Sequence, residues 1–210
     1  MAGIQDHLNA LFEAERALRS SENALLQNQP GELSELLAAA VKEAKALDDK
    51  AESRMRLERL ADLCAQVPGP EMTDALISIL DDASPAVRVQ AAEALADVGF
   101  DRYAEVARGV ERALNAPLTF ALQELPWVLI ELGEPSVRKL LVGFLDSKDG
   151  DVVASAVEAL AELGDAASIK DLKKLANDPR EVDIEGDEGE ETVTVGDLAM
   201  EAIDALGGNG

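Results

Sequence analysis

Residues that usually carry chemistry are scarce in this chain. Its 210 residues include one cysteine, one histidine, one tryptophan and one tyrosine, and aromatic side chains make up 3%. With Cys64 alone, no intrachain disulfide can form; on an apolar helix face it reads as a buried, inert thiol. His7 stands far in sequence from any candidate nucleophile, which excludes a serine–histidine–acid triad and a histidine metal cluster, and it reads as a surface residue. No glycine-rich phosphate cradle is present, and no cofactor is expected. No apolar run is long enough to span a bilayer, and no basic stretch followed by an apolar one opens the chain. The expected location is therefore cytoplasmic. Positive charge is scarce as well: 19 Lys plus Arg stand against 42 Asp plus Glu, a net charge of −23. Such a chain repels phosphate backbones and anionic lipid, so neither nucleic acid nor a membrane is expected as a partner. Its natural complement is a basic protein or peptide, although the same charge also serves solubility, as in a salty cytoplasm.

What the chain has in quantity is Ala, Leu and Val. Hydrophobic residues reach 47% almost without aromatics, a composition that favours helices packed closely in a stack. The organising stretch is Ser84-Pro-Ala-Val-Arg-Val-Gln-Ala-Ala-Glu-Ala-Leu-Ala-Asp-Val-Gly99. Ser84 is placed to cap a helix and Pro85 fits the first helical position. Val87, Ala91, Ala94, Leu95 and Val98 form one apolar stripe, and Gly99 stands where a left-handed cap is expected. The pattern recurs at Ala156 to Gly164 and at Ala199 to Gly207, more loosely at Pro126 to Gly133, and most loosely at Leu57 to Cys64. The glycines at 99, 133, 164 and 207 are spaced by roughly 30 to 45 residues, the period of a two-helix repeat.

Asp81-Asp-Ala-Ser-Pro-Ala-Val-Arg88 followed by Ala-Ala-Glu-Ala-Leu-Ala-Asp-Val-Gly99 resembles a HEAT repeat, in particular the short bacterial HEAT-like type also called the phycobilisome-lyase repeat. The resemblance covers roughly residues 33–207. It implies an all-α fold, an α-solenoid of about five helix pairs. It also implies that the second helix of each pair lines the concave side. The Val-Arg pair occurs once, as Val87-Arg88; its counterparts are Val152-Val153 and Val195-Gly196.

Two regions are expected: an N-terminal amphipathic helix in residues 1–30 and the solenoid in 31–210. In the first, Ile4, Leu11, Leu18 and Leu25 fall at seven-residue steps, with Leu8, Phe12 and Ala14 beside them. The second stripe, Leu8, Glu15, Glu22, loses its apolar character after one position, so an end cap over the first repeat is preferred to a dimerisation helix through residues 4–25. The pairs are expected at 33–47 and 51–67, 71–80 and 85–98, 101–114 and 118–132, 135–145 and 151–163, and 166–176 with 197–206. Pro126 inside a helix should remove one amide bond and bend it. Asp149 is a candidate cap. Between residues 180 and 195, Val182 and Ile184 alternate with acids before Gly186-Asp-Glu-Gly189, and Thr192 to Val195 follow, which predicts a β-hairpin inserted in the last repeat. Its acids Asp183, Glu185, Asp187, Glu188, Glu190 and Glu191 lack the spacing of a calcium loop and read as a charged hairpin edge rather than a metal site. Residues 207–210 read as a frayed tail.

The repeat register supplies the candidate binding residues. Opposite the apolar stripe stand Gln90, Glu93 and Asp97. In register with them are Glu124, Trp127 and Glu131; Ser155, Glu158 and Glu162; Met55, Glu58 and Asp62; and Leu198, Glu201 and Ala205. If the second helices line one side, rows of carboxylates flank a single aromatic, as a groove for a basic segment requires. The competing reading is a solvated acidic face with Trp127 turned inward. Functionally, a non-catalytic scaffold binding a basic protein segment leads. A bilin-lyase-like enzyme subunit, which the resemblance also admits, would need a tetrapyrrole pocket that so few aromatics hardly furnish. Homo-oligomerisation through the N-terminal helix is compatible with the scaffold.

Overall fold

A computed structural model describes residues 2–186 and 189–208. The helices are α1 (Ala2–Leu26), α2 (Pro30–Lys45), α3 (Lys50–Gln66), α4 (Pro70–Leu80), α5 (Pro85–Ala113), α6 (Phe120–Leu132), α7 (Val137–Phe144), α8 (Gly150–Leu163), α9 (Ile169–Leu172) and α10 (Val195–Ala205). Two short 3-10 turns, Ala166–Ser168 and Lys173–Leu175, flank α9. An antiparallel hairpin, β1 (Glu181–Gly186) and β2 (Gly189–Thr194), precedes α10.

Local chemistry sets the helix ends. Proline takes the first position of α2, α4 and α5, where no intrahelical amide bond is forfeited. Asp49 caps α3 by accepting from the amides of Ala51 and Glu52, and Asp149 caps α8 through Asp151 N at 3.0 Å. Gly133 and Gly164 close α6 and α8 in the left-handed conformation expected of them. Two expectations on the organising stretch are corrected. Ser84 has the extended backbone of a cap, but its side chain makes no capping bond. Gly99 is no left-handed cap, because the helix continues through it to Ala113; a Cβ there would lie 2.5 Å from Leu132 Cδ1, so glycine is needed for the approach of α6. The break falls three residues later, at Arg102 (φ −138°, ψ 47°), where its guanidinium reaches back to the Ala65 carbonyl at 2.8 Å.

The helices form two layers of a solenoid. α3, the first half of α5, α6, α8 and α10 pack side by side in sequence order. α2, α4, the second half of α5, α7 and α9 lie against them, so each unit is the expected pair and one apolar seam runs the length of the array. α7 is shorter than expected and the 166–176 helix is broken into turns. α6 runs through Pro126 without interruption. α1 meets the body through its C-terminal end: Leu25 and Leu26 pack on the core, and Glu22 pairs with Arg59 at 2.8 Å. Capping of the first repeat is done by those last turns, while Ile4, Leu8, Leu11 and Phe12 remain exposed. At the other end, Gly207 has a positive φ and the Gly208 amide bonds to Ile203 O at 2.8 Å; the rest of the tail expected to fray, residues 209 and 210, lies outside the described residues.

Candidate protein-binding groove

The register rows lie on the layer of α3, the first half of α5, α6, α8 and α10 (the inner helices), and neighbouring repeats use part of each row. Gln90 donates to Asp62 Oδ1 at 2.8 Å, tying α5 to α3. Asp62 is partly buried, and burial raises its carboxyl pKa above the usual value, against the lowering effect of Arg59. Arg88 donates through Nε to Glu124 Oε1 at 2.8 Å, lies 4.9 Å over the Phe120 ring, and bonds the carbonyls of Asp82 and Ala83. Its single Val-Arg motif is thus a clamp between α5 and α6. Glu58 stands near Arg54, 3.9 Å away on the same helix. Glu93, Asp97 and Glu131 are exposed and, among the described residues, make no ion pair.

Farther along, the rows converge. Trp127 on α6 is 40% exposed, so the inward reading of its ring does not hold. It lines a groove of about 620 Å³ with Glu158 and Glu162 of α8, Leu198 and Glu201 of α10, and Ile184 and Glu191 of the hairpin. A second hollow of about 550 Å³ adjoins it; Ser155 and Glu158 line this one together with Gln123, Asp151 and Asp183. Glu158 is shared by both. Burial raises its carboxyl pKa, and the charge of Glu201 raises it further. Asp151 is raised in the same way, first by burial and then by Asp149 and Asp183. An aromatic face, an aliphatic floor and four carboxylates therefore share one open site. Such a site can hold a cation with an apolar stem.

Sequence reading missed the wall of this groove. The hairpin was legible from its alternation, but its position was not. Val182 is buried against α8, close to Gly150, whose absent Cβ leaves room for the valine's Cγ1. Val182, Asp183 and Ile184 of β1 then line the hollow. The base of the hairpin is fixed by Arg180, which pairs with Asp178 at 2.6 Å and bonds Ser147 O at 2.9 Å; the hydrogen bond from Arg180 lowers the Asp178 pKa. Asp187 and Glu188, and the side chains of Glu185 and Glu190, lie outside the described residues. Among the described residues, no three acids or other ligating side chains gather as a metal site would require. Cys64 is buried, and burial pushes its thiol up to about 12.

A family model described as HEAT repeats matches residues 119–185, the span from the start of α6 to the first hairpin strand. Over that span the chain is similar to HEAT repeats. No curated protein matches the chain. Among solved structures, an engineered protein aligns over 90% of this chain and 96% of its own at 18% identity, with a TM-score of 0.39. A designed armadillo repeat protein in complex with the peptide (KR)4 aligns over 91% and 94% at 19% identity, with a TM-score of 0.38. Computationally designed armadillo repeat proteins for modular peptide recognition align over 90% and 93% at 20% identity, with a TM-score of 0.36. Within the matched span, the groove residues Trp127, Glu158 and Glu162 fall on α6 and α8, and Ser155 of the adjoining hollow falls on α8.

Proposed function

We propose that this protein is a non-catalytic scaffold that binds a basic protein segment along the inner helices, anchored at Trp127. The observation that carries the reading is the convergence of Trp127 with Glu158, Glu162 and Glu201 on one open groove of about 620 Å³. A lysine or arginine laid there would place its stem on Trp127 and Leu198 and its charge among the acids. The exposed acids Glu93, Asp97 and Glu131 would steer the rest of the segment, while Glu58, Asp62, Gln90, Glu124 and Ser155 shape the face on which it lies.

Trp127 is the only tryptophan, so its emission reports the groove directly. Titration with an eight-residue Lys/Arg peptide should change that emission saturably, and the affinity should fall steeply as salt rises from about 50 mM to about 500 mM. Trp127→Ala, followed by calorimetry, should weaken binding by about tenfold or more, the range of an aromatic anchor. An unchanged affinity in that variant, or an acidic peptide binding equally well, would overturn the proposal.

A further inference from the structure

The feature that the groove does not use is the free length of α1. Ile4 is 78% exposed, Leu11 63%, Phe12 51% and Leu8 42%, on a helix whose attachments to the body lie at Glu22, Leu25 and Leu26. We infer that this stretch pairs with the same stretch of a second copy, antiparallel, to give a dimer whose two bodies stand at opposite ends of a two-helix bridge.

Three observations choose that occupant and that direction. The seven-residue steps of Ile4, Leu11 and Leu18 are the period that keeps a seam facing another helix. From Ala2 to Phe12 the helix carries Asp6 as its single carboxylate and no Lys or Arg, while Glu13, Glu15, Arg16 and Arg19 follow. The half with the fewer charges is therefore the half that can be buried. An antiparallel register centred between Leu8 and Leu11 sets each Leu8 against the partner copy's Leu11, places each Phe12 beside the partner copy's His7, and leaves Ile4 against the stem of Glu15, whose carboxylate points outward beside Arg19, 2.9 Å away. A parallel pair would instead stack Glu15 on Glu15 in the seam. It would also hold the bodies of two chains, each chain of net charge −23, side by side. In the antiparallel pair, about 25 residues of helix rise, roughly 35–40 Å, separate the two attachment points. That exceeds the screening length of about 10 Å at 0.1 M salt. The paired stretch ends near residue 17, short of the body, so no repeat has to move.

The test uses the full chain in sedimentation equilibrium. The expected mass at high concentration is twice 22.2 kDa, and Leu11→Asp should raise the dissociation constant more than tenfold with an unchanged helical circular dichroism of the body. Direction is read by oxidation of single-cysteine variants in a Cys64→Ala background. Ile4→Cys alone should not cross-link to itself, whereas a mixture of Ile4→Cys and Glu15→Cys should. A monomer at every concentration, a dimer indifferent to Leu11→Asp, or efficient self-cross-linking at position 4 would each overturn the inference. None of these results bears on peptide binding to the groove.

Discussion

At the scale of single residues, Gly99 is tightly constrained. A methyl group there must displace the Leu132 side chain, whose Cδ1 stands 2.5 Å from the Cβ position, at the seam between α5 and α6. Gly99→Ala should therefore destabilise the protein by about 1–3 kcal/mol in urea unfolding, the range for an overpacked core. Gly31→Ala, in the first turn of α2 with nothing within 4 Å, should be neutral or mildly stabilising. Glu158 makes the second residue-scale prediction. Its raised pKa means that the folded protein holds the proton more tightly than the unfolded chain does, so ionising Glu158 costs stability as pH rises through the folded value. A basic ligand needs the carboxylate ionised. Peptide binding should thus begin to weaken at a pH above the ordinary glutamate value of 4.5, and Glu158→Gln should remove that part of the pH profile. An identical profile in that variant would assign the pH dependence elsewhere.

Elements are held to one another by the few cations. Arg59 reaches Glu22, Arg88 reaches Glu124, Arg112 holds Asp74, Arg138 holds Asp171 at 3.2 Å, and Lys45 donates to Ser78 O at 2.5 Å. Each joins one helix to a neighbouring unit, and among the described residues Glu158, Glu162, Glu191 and Glu201 on the groove have no such ion pair. Asp81 does the same from the acidic side, accepting from Thr119 N at 2.8 Å and Ala121 N at 3.1 Å to cap α6 from the end of α4. Within an element, Asp49→Ala removes the side chain that satisfies two amides of α3 and should cost about 1 kcal/mol. In urea, hydrogen exchange of the first repeat should quicken before that of α8, because a stacked array couples each unit mainly to its neighbours. Uniform loss of protection along the chain would contradict that order.

For the whole molecule, net charge and buried pairs oppose each other along the pH axis. Near neutrality the surplus of acids repels itself, so added salt should raise the melting temperature. Acidification first protonates the raised groups Glu158, Asp62 and Asp151, which favours the folded state. Asp171 and Asp178 act in the opposite sense. The hydrogen bond from Lys174 lowers Asp171, with Arg138 adding to it, and that from Arg180 lowers Asp178. Their stabilisation is present above the ordinary aspartate value of 3.8 and lost as pH falls through the lower folded values. The melting temperature should therefore peak on the acid side of neutral and drop below about pH 4; a monotonic rise toward acid in a thermal scan would show that these pairs contribute nothing.

The sequence alone determined the repeat, because a two-helix unit must show its apolar stripe at every turn and its breaks at Pro68-Gly-Pro70, Gly133 and Gly164. It also determined the hairpin, since period-two alternation is written in consecutive residues. Tertiary structure decided the rest. The continuation of α5 through Gly99 follows from the packing of Leu132 across a seam, and the groove follows from a hairpin folding back over α8. Spacing along a chain reports which side of its own helix a residue occupies; which other helix arrives there is a matter of shape and burial between residues some thirty or more positions apart.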